Sequence, residues 1–327
     1  MKVGIVSFAH MHAHSYANAL QSIKGVEFAA IADDLPERGQ AAADQYGVRY
    51  VGDYPALLAE DIDALIVCTE NARHAEVVIA AAKANKHILC EKPIATTLAD
   101  AQAMIVACRE SGVLLQTAFP VRFHPAVQRV KRLLEQGRVG RILAMRGTNR
   151  GQNPGGWFVD PALSGGGAVL DHTVHVVDLM RWFTGSEVRE VYAEIDTRFH
   201  DSLAVDDCGL LTLEFANGVI ASHDPSWSRC ASYPTWGDVT VEIIGTEGTL
   251  SLDVFRQHML LHSDLSGHTT HENWGDDMDS LLVADFIRSV AERKASPSVT
   301  GEDGLRALEV ALAAYESATS GQPVRIG

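Results

Sequence analysis

The sequence has few cysteines, no long apolar run and little positive charge. Its five cysteines are odd in number and include no Cys-x-x-Cys pair, which favours free thiols in a reducing compartment. The formal net charge of −15 argues against nucleic acid as a partner, because phosphate binding needs a basic face. No apolar run approaches the roughly 18 residues of a membrane span, and no signal-peptide cleavage site follows the short apolar start. We therefore expect a cytoplasmic protein with no membrane partner.

The first third of the chain alternates short apolar strands with helical patterns. Strand-like runs occur at residues 2–9, 26–33, 62–69, 87–93 and 113–120. The first helix is expected over residues 14–23, with Ser15 as its candidate N-cap. Such alternation implies right-handed crossovers and a parallel sheet covered on both faces. We predict a doubly wound α/β domain of the Rossmann dinucleotide-binding type over residues 1–120.

Beyond residue 120 the alternation of strands and helices gives way to long strands in which apolar and polar residues alternate. Hairpin signals occur at Asn217-Gly218 and Glu247-Gly248, and strands without intervening helices make an antiparallel sheet. A helix is expected over residues 168–184, after a Gly/Pro-rich loop at 151–167. We predict an α+β domain over residues 121–327 with a large open, mostly antiparallel sheet. Its final helix, residues 302–320, is expected to pack back near the interdomain cleft.

The turn after the first strand lacks the glycines of a dinucleotide-binding loop and has histidines instead. A strand that leads into a helix presents free N–H groups and a positive dipole end, where a pyrophosphate can bind. Ser7 and Ala9 are small enough for a tight turn, whereas His12 cannot replace a glycine. His14 is expected to pack on the first helix. The predicted cofactor contacts in this turn are Ser7, Phe8, Ala9, His10, Met11 and His12.

The alternating histidines also allow a different interpretation. An HxH pattern at a strand end can ligate zinc or manganese. In an extended segment His10, His12 and His14 point the same way, whereas in a helix only His10 and His14 share a face. A metal-dependent hydrolase or a metal-binding protein is therefore an alternative, although our prediction assigns no metal site.

Asp33 ends the second strand, where an acidic residue binds the adenine-ribose hydroxyls of NAD. Asp34 follows, and no arginine is expected to sit beside it and accept a 2′-phosphate, since Arg38 is a turn further on. We therefore expect NAD in preference to NADP. The alternative for the two aspartates is a solvated loop with a helix N-cap.

Two further segments carry candidate catalytic groups. Lys92 follows a parallel strand and is expected to point into the crevice, where it can hydrogen-bond a substrate oxygen and stabilise alkoxide charge. Asp171 and His175 are four residues apart and share a helix face. A carboxylate and an imidazole at a helix start suit general acid–base catalysis. The alternatives are a surface lysine and a surface ion pair.

Together these segments resemble the Gfo/Idh/MocA family of nicotinamide-dependent oxidoreductases. The most specific motif is Glu91-Lys92-Pro93, and GGGAVLDHTVHVVDLMRW at 165–182 is similar to a second family motif. The resemblance spans nearly the whole chain. It implies a Rossmann domain followed by an α+β domain whose open sheet often forms the oligomer interface. It also implies that Lys92, Asp171 and His175 are the catalytic set.

The chain departs from the family pattern at three places. The first turn lacks its glycines, Glu70 stands where a proline is expected, and Thr173 stands where a glycine is expected. We expect a distinctive substrate pocket near Thr173. The remaining predicted cofactor contacts are Asp33, Asp34, Thr69, Glu70, His74, Glu91 and Lys92. The predicted substrate contacts are Arg122, Arg150, Asn153, Trp157 and His172.

The predicted activity is that of an NAD(P)-dependent dehydrogenase or reductase, with NAD as the expected cofactor. Its substrate is a secondary alcohol or ketone of a sugar, polyol or related carbohydrate-like compound. His175 accepts the hydroxyl proton, Lys92 hydrogen-bonds the same oxygen, and Asp171 orients the lysine or a neighbouring hydroxyl. Alternatives are transient oxidation that enables elimination or glycosidic cleavage, and a ligand sensor without catalysis. A homodimer or homotetramer through the C-terminal sheet is expected.

Overall fold

The computed structural model describes residues 1–273 and 275–327, and its N-terminal part is built on a six-stranded parallel sheet. The strands are β1 (Lys2–Val6), β2 (Glu27–Ala32), β3 (Arg49–Tyr50), β4 (Ala64–Val67), β5 (His87–Cys90) and β6 (Leu115–Thr117). The connecting helices are α1 (His12–Ser22), α2 (Pro36–Tyr46), α3 (Tyr54–Leu58), α4 (His74–Lys83) and α5 (Leu98–Ser111). The order β3-β2-β1-β4-β5-β6 confirms the predicted doubly wound architecture and places a crevice at the carboxyl end of β1, where the strand order reverses.

The C-terminal part contains a seven-stranded sheet in the order β12-β11-β7-β10-β9-β8-β15. Its first strands are β7 (Ile142–Thr148), β8 (Val188–Asp196), β9 (Cys208–Phe215), β10 (Ile220–Asp224), β11 (Thr240–Gly245) and β12 (Thr249–Asp253). A separate hairpin follows, formed by β13 (His258–Ser263) and β14 (His268–Asn273), and the short β15 (Val324–Arg325) completes the large sheet. Only β7 and β10 pair in parallel within this sheet as described, so the prediction of a mostly antiparallel sheet is confirmed.

Five helices follow residue 120 in the chain, and two of them join the two parts of the chain. They are α6 (Pro125–Glu135), α7 (Pro161–Ser164), α8 (Ala168–Thr184), α9 (Met278–Ala291) and α10 (Gly301–Ser320). Helix α10 packs on α8 and β8 and also contacts α5 and β6 of the N-terminal part. Within the described ranges, no helix combines the length and the apolar character that crossing a bilayer requires.

Helix α9 packs in the core of the N-terminal part, although it lies in the second predicted domain. Leu282, Val283 and Phe286 are fully buried in one cluster with Val3 and Ile5 of β1. Because an amphipathic helix buries its apolar stripe wherever a sheet face is free, sequence position does not decide which core it joins. The segment 121–327 therefore contributes a helix to the hydrophobic core of the segment 1–120.

The start of α1 differs from the sequence-based expectation. The helix begins at His12, three residues before the predicted N-cap Ser15. Nδ1 of His10 accepts the backbone N–H of His12 at 3.2 Å. An imidazole, rather than a serine hydroxyl, therefore satisfies a free N–H group at the helix start. The prediction that Ser15 caps the helix was wrong.

Candidate active site

The main cavity lies between the carboxyl ends of the parallel strands and helix α8. Its volume is about 360 Å³, within the range of small-molecule sites. It is lined by His10, Met11, His12, Lys92, Pro120, Val121, Asn149, Pro154, Phe158, Asp171, His172, His175, Trp236, Gly237, Val239, Phe255 and Met278. The structure thus brings the three predicted catalytic residues together in one cavity with the histidines of the first turn.

Lys92 and Asp171 form a buried ion pair in the wall of this cavity. Nζ of Lys92 donates to Oδ1 of Asp171 at 2.5 Å. The other carboxylate oxygen accepts Nε1–H of Trp227 at 3.4 Å. Burial opposes ionisation of Asp171, but the positive charge of Lys92 outweighs it and holds the pKa of this carboxyl below its ordinary value. An ionised Asp171 therefore fixes the ammonium group of Lys92 at the cavity wall.

His175 lies one helical turn after Asp171 and is buried. Burial lowers the pKa of His175 well below its ordinary value, and the positive charge of Lys92 lowers it further. Its Nδ1 atom is buried without a hydrogen-bond partner among the described residues. The side chain is therefore a neutral imidazole at neutral pH, which is the form that accepts a proton.

The glycine run before α8 is required by close packing. A Cβ atom on Gly167 would lie 1.9 Å from the carbonyl oxygen of Asp206. The backbone N–H groups of Gly167 and Val169 donate to the Asp206 carboxylate at 3.0 and 2.8 Å, and the Tyr315 hydroxyl donates to it at 2.7 Å. A carboxylate at the helix N-terminus satisfies free N–H groups and the helix dipole. This anchoring sets the position of Asp171, one turn further along α8.

The first turn keeps the backbone shape of a dinucleotide-binding loop without its glycines. Ser7 has φ of 70°, in the left-handed region that favours glycine. Its hydroxyl accepts the N–H of Ala9 at 3.1 Å, and the N–H of Phe8 donates to Asp33 at 2.8 Å. The N–H of His10 donates to the carbonyl of Cys68. Because these N–H groups are bonded within the protein, the turn offers fewer donors to a pyrophosphate than a glycine-rich loop does.

Arg38 lies next to Asp33 in space, which the sequence argument did not foresee. Helix α2 begins at Pro36, so Arg38 lies in its first turn and reaches back over the end of β2. Its Nε and Nη2 atoms donate to the two oxygens of Asp33, each at 2.8 Å. Burial opposes ionisation of Asp33, but hydrogen bonds from Arg38 and two backbone N–H groups hold its pKa below the ordinary value. The premise that no arginine is near Asp33 was wrong.

A second, smaller cavity of about 140 Å³ lies beside this network. Its lining includes Ser7, Asp33, Asp34, Thr69 and Arg73, at the ends of β1, β2 and β4. Nη1 of Arg73 pairs with Asp34 at 2.5 Å. Glu70 lies 3.9 Å from Arg38 and 3.7 Å from Arg73, measured between charged atoms. The predicted residues Asp34 and Glu70 are thus joined in an ion-pair network with both arginines.

Two other predicted cofactor residues are fully buried. His74 lies between two backbone oxygens, with Nδ1 3.0 Å from the carbonyl of Pro93 and Nε2 3.3 Å from that of Thr69. Glu91 accepts the Tyr16 hydroxyl at 2.5 Å and lies 3.0 Å from Nδ1 of His12. Neither side chain is part of the lining of the main cavity as described, so each holds the surrounding loop together.

Of the five predicted substrate contacts, the described lining of the main cavity includes His172. Arg122 is buried and pairs with Asp178, with its Nε atom at 2.8 Å. Nε of Arg150 lies 3.3 Å from Asp238. The remaining two belong to the Gly/Pro-rich loop, where the Asn153 side chain accepts the N–H of Gly155 at 2.8 Å and the Trp157 indole donates to the carbonyl of Ala9 at 3.0 Å.

Several cavity residues were missed by the sequence analysis. Asn149, Trp236, Phe255 and Met278 line the cavity, and they come from loops and element ends with no motif. Trp227 reaches Asp171 across 56 residues of sequence, so no local pattern predicts it. Tyr16 was detectable in principle. It lies one helical turn after His12 and shares its side of α1.

Comparison with known proteins agrees with the geometry. Residues 1–119 match the model of an oxidoreductase family with an NAD-binding Rossmann fold, and residues 127–251 match the GFO/IDH/MocA C-terminal domain. Myo-inositol 2-dehydrogenase of Thermotoga maritima is 30% identical over 338 residues, covering 100% of this chain and 98% of its own. The chain belongs to the Gfo/Idh/MocA family.

Further members of this family are similar over most of their length. The 1,5-anhydro-D-fructose reductase of Ensifer adhaerens is 32% identical, covering 92% of each chain. The solved structure of a levoglucosan dehydrogenase in complex with NADH and L-sorbose has a TM-score of 0.84 at 27% identity, covering 100% of this chain and 99% of its own. This Gfo/Idh/MocA protein is an oxidoreductase, and its first domain is of the NAD-binding Rossmann type.

Proposed function

We propose that this oxidoreductase is an NAD-dependent dehydrogenase or reductase. Its proposed substrate is a secondary alcohol or ketone of a sugar, polyol or related polyhydroxylated compound. The observation that carries the proposal is the ion pair of Lys92 and Asp171 beside the neutral His175 in one cavity. Relatives named for myo-inositol and 1,5-anhydro-D-fructose support this substrate class.

The residues around the two cavities fit a dinucleotide. The turn at Ser7 has a positive φ and leads into the N-terminus of α1, which suits a pyrophosphate. The small cavity beside Asp33 and Thr69 suits the adenosine half, since ligands of doubly wound sheets bind beyond the strand ends. Lys92 and Pro120 line the main cavity, which suits the nicotinamide. When bound, the nicotinamide supplies the hydride acceptor or donor.

The charges around Asp33 favour NAD over NADP. Arg38 and Arg73 are both paired, and they share the carboxylates of Asp33, Asp34 and Glu70. A 2′-phosphate would have to displace these carboxylates, and the site as a whole would repel its negative charge. A ribose hydroxyl carries no such charge.

Side chains of the protein accept the proton of the substrate hydroxyl during oxidation and return it during reduction. Lys92 hydrogen-bonds the substrate oxygen and stabilises the negative charge that develops there. His175, kept neutral by burial, accepts the proton at one of its ring nitrogens. Asp171 holds the ammonium group of Lys92 in place. In the direction of reduction, His175 returns the proton to the same oxygen.

The test is a comparison of His175→Gln with His14→Gln and the wild type. NADH formation is followed at neutral pH with a panel of inositols, aldoses and anhydrosugars. His175→Gln should lower kcat by about 10²- to 10⁴-fold and leave the affinity for NAD unchanged, whereas His14→Gln should behave as the wild type. Equal activity of both variants would refute the role of His175. Substrate conversion without net NADH would instead indicate transient oxidation.

A further inference from the structure

His10, His12 and Glu91 form a largely buried cluster, with both histidines in the wall of the main cavity, and the proposed reaction does not use them as catalytic groups. Nδ1 of His12 lies 3.0 Å from Oε1 of Glu91, and Nδ1 of His10 lies 3.8 Å from the same oxygen. One ligand atom from each residue lies within 4.8 Å of the other two. The two histidines come from the turn after β1, and Glu91 comes from the end of β5. We propose that these three side chains bind a divalent transition-metal ion such as Zn²⁺.

The distances suit a single ion. Zinc binds histidine nitrogen and carboxylate oxygen at about 2.0–2.2 Å, so ligand atoms around one ion lie roughly 3–4 Å apart. The two separations from Glu91 fall in this range. Two imidazoles and one carboxylate are a donor set that zinc uses where one coordination position stays open. The same set binds iron in facial triads, so transition metals are favoured over Mg²⁺ and Ca²⁺, which prefer oxygen ligands.

The hydrogen bond at Nδ1 of His10 indicates the tautomer of this ring. Nδ1 of His10 accepts the N–H of His12 at 3.2 Å, so this nitrogen is unprotonated and becomes a ligand atom when the ion replaces that hydrogen bond. In that tautomer the proton of His10 is on Nε2, an atom that is buried and has no partner among the described residues. A metal ion requires an unprotonated ligand nitrogen, and at His10 it would take the lone pair that the N–H of His12 now uses.

Outer hydrogen bonds position the carboxylate of Glu91. The Tyr16 hydroxyl donates to Oε1 at 2.5 Å, and the backbone N–H of Lys92 donates to Oε2 at 3.0 Å. Metal-binding carboxylates and imidazoles depend on such partners for their orientation. Glu91 is fully buried, so its negative charge needs a positive partner, and a metal ion supplies one. The cluster is open on the side of His12, which lines the main cavity.

The test is metal binding by the purified full-length chain, which does not depend on the redox reaction. The protein is stripped with EDTA, dialysed against Zn²⁺, and analysed for metal content. The wild type should bind one ion per chain at this site, and His12→Gln should weaken it by at least the 10- to 100-fold typical of lost support at metal sites. His14→Gln is the matched control, because His14 lies in the same helix and bonds Tyr46. It should bind as the wild type.

Two further readouts make the outcome independent of a folding defect. Zn²⁺ should raise the Tm of the wild type and of His14→Gln but not of His12→Gln, because a ligand of the native state stabilises it. His12 is partly exposed, so this variant should keep the wild-type circular dichroism spectrum. Substitution with Co²⁺ should give a visible absorption that His12→Gln lacks. Absence of stoichiometric binding to the wild type, or equal binding by His12→Gln, would overturn the proposal.

Discussion

The ammonium group of Lys92 and the carboxylate of Asp171 lie 2.5 Å apart across the cleft between the parallel sheet and helix α8. Lys92 follows β5, and Asp171 lies in the first turn of α8, so the pair joins the two parts of the chain at the catalytic cavity. Both side chains are buried. Removing one partner leaves a buried charge without a counter-charge, which is more costly than removing both.

Asp171→Asn should therefore lose both stability and activity. We expect a loss of about 3–5 kcal/mol in the free energy of unfolding, since Lys92 keeps a buried charge without its partner. The double variant Lys92→Met with Asp171→Leu should recover most of this loss and remain inactive. Urea unfolding and NADH formation measure the two effects. Additive losses of stability in the single and double variants would show that the two side chains do not interact.

The sequence analysis predicted what depends on local patterns and motifs. Strand and helix alternation predicted the parallel sheet, and the spacing of Asp171 and His175 placed them on one side of α8. Arg122 was different. It was assigned to the substrate because it follows the domain boundary, but the structure pairs it with Asp178, on the same helix as His175. A buried arginine needs a carboxylate, and which carboxylate it finds depends on helix packing that a single sequence does not specify.

The residues proposed to bind the cofactor also show that sequence alone does not specify which side chains meet in space. Asp33 was predicted from its place at the end of β2, and the structure places it there, beside the first turn. Arg38 was not placed beside the aspartates because it is a turn further on in sequence. The first turn of α2 brings it back over the strand end, so proximity in space followed from helix geometry rather than from adjacency.

Asp34→Ala should raise the affinity for NADP relative to NAD. Asp34 is half-exposed and pairs with Arg73 and Arg38, so its removal frees positive charge at the small cavity. An exposed pair of this kind contributes up to about 1 kcal/mol, which corresponds to roughly a fivefold shift in the ratio of the two Kd values. Isothermal titration with both dinucleotides measures it. Asp44→Ala, an exposed position on helix α2 away from both arginines' carboxylate partners, is the control and should leave the ratio unchanged.

His223 makes the stability of the protein depend on pH below about 6.5. Burial lowers the pKa of His223 from 6.5 to about 4. As the pH falls below 6.5 the unfolded chain takes up a proton that the folded chain does not, so stability is complete above pH 6.5 and is lost toward pH 4. The slope from this group approaches 1.4 kcal/mol per pH unit at most.

The variant His223→Gln isolates this contribution. Its free energy of unfolding should fall less steeply between pH 6.5 and pH 4 than that of the wild type, because glutamine does not titrate. His223 lies on β10, outside the lining of the main cavity, so activity at neutral pH is expected to persist. Urea unfolding at several pH values gives the two slopes. Parallel slopes would mean that His223 is protonated equally in both states.

The outer face of the C-terminal sheet should bind a second copy of this chain. Leu210 on β9 and Ile220 on β10 are 59% and 57% exposed, and these neighbouring strands bury every second residue on the opposite face. Ile244 on β11 is a further exposed apolar residue of this sheet. The double variant Leu210→Glu with Ile220→Glu should be monomeric, because burying two carboxylates at the contact costs more than the contact provides.

Light scattering coupled to size exclusion measures the mass of each form. The wild type should elute as a dimer or tetramer, and the double variant as a monomer with unchanged circular dichroism. Leu265→Glu is the control, since this side chain is fully exposed between β13 and β14, away from the large sheet. It should keep the wild-type mass. A monomeric wild type, or a double variant that still associates, would refute the prediction that these apolar residues form an interface between copies.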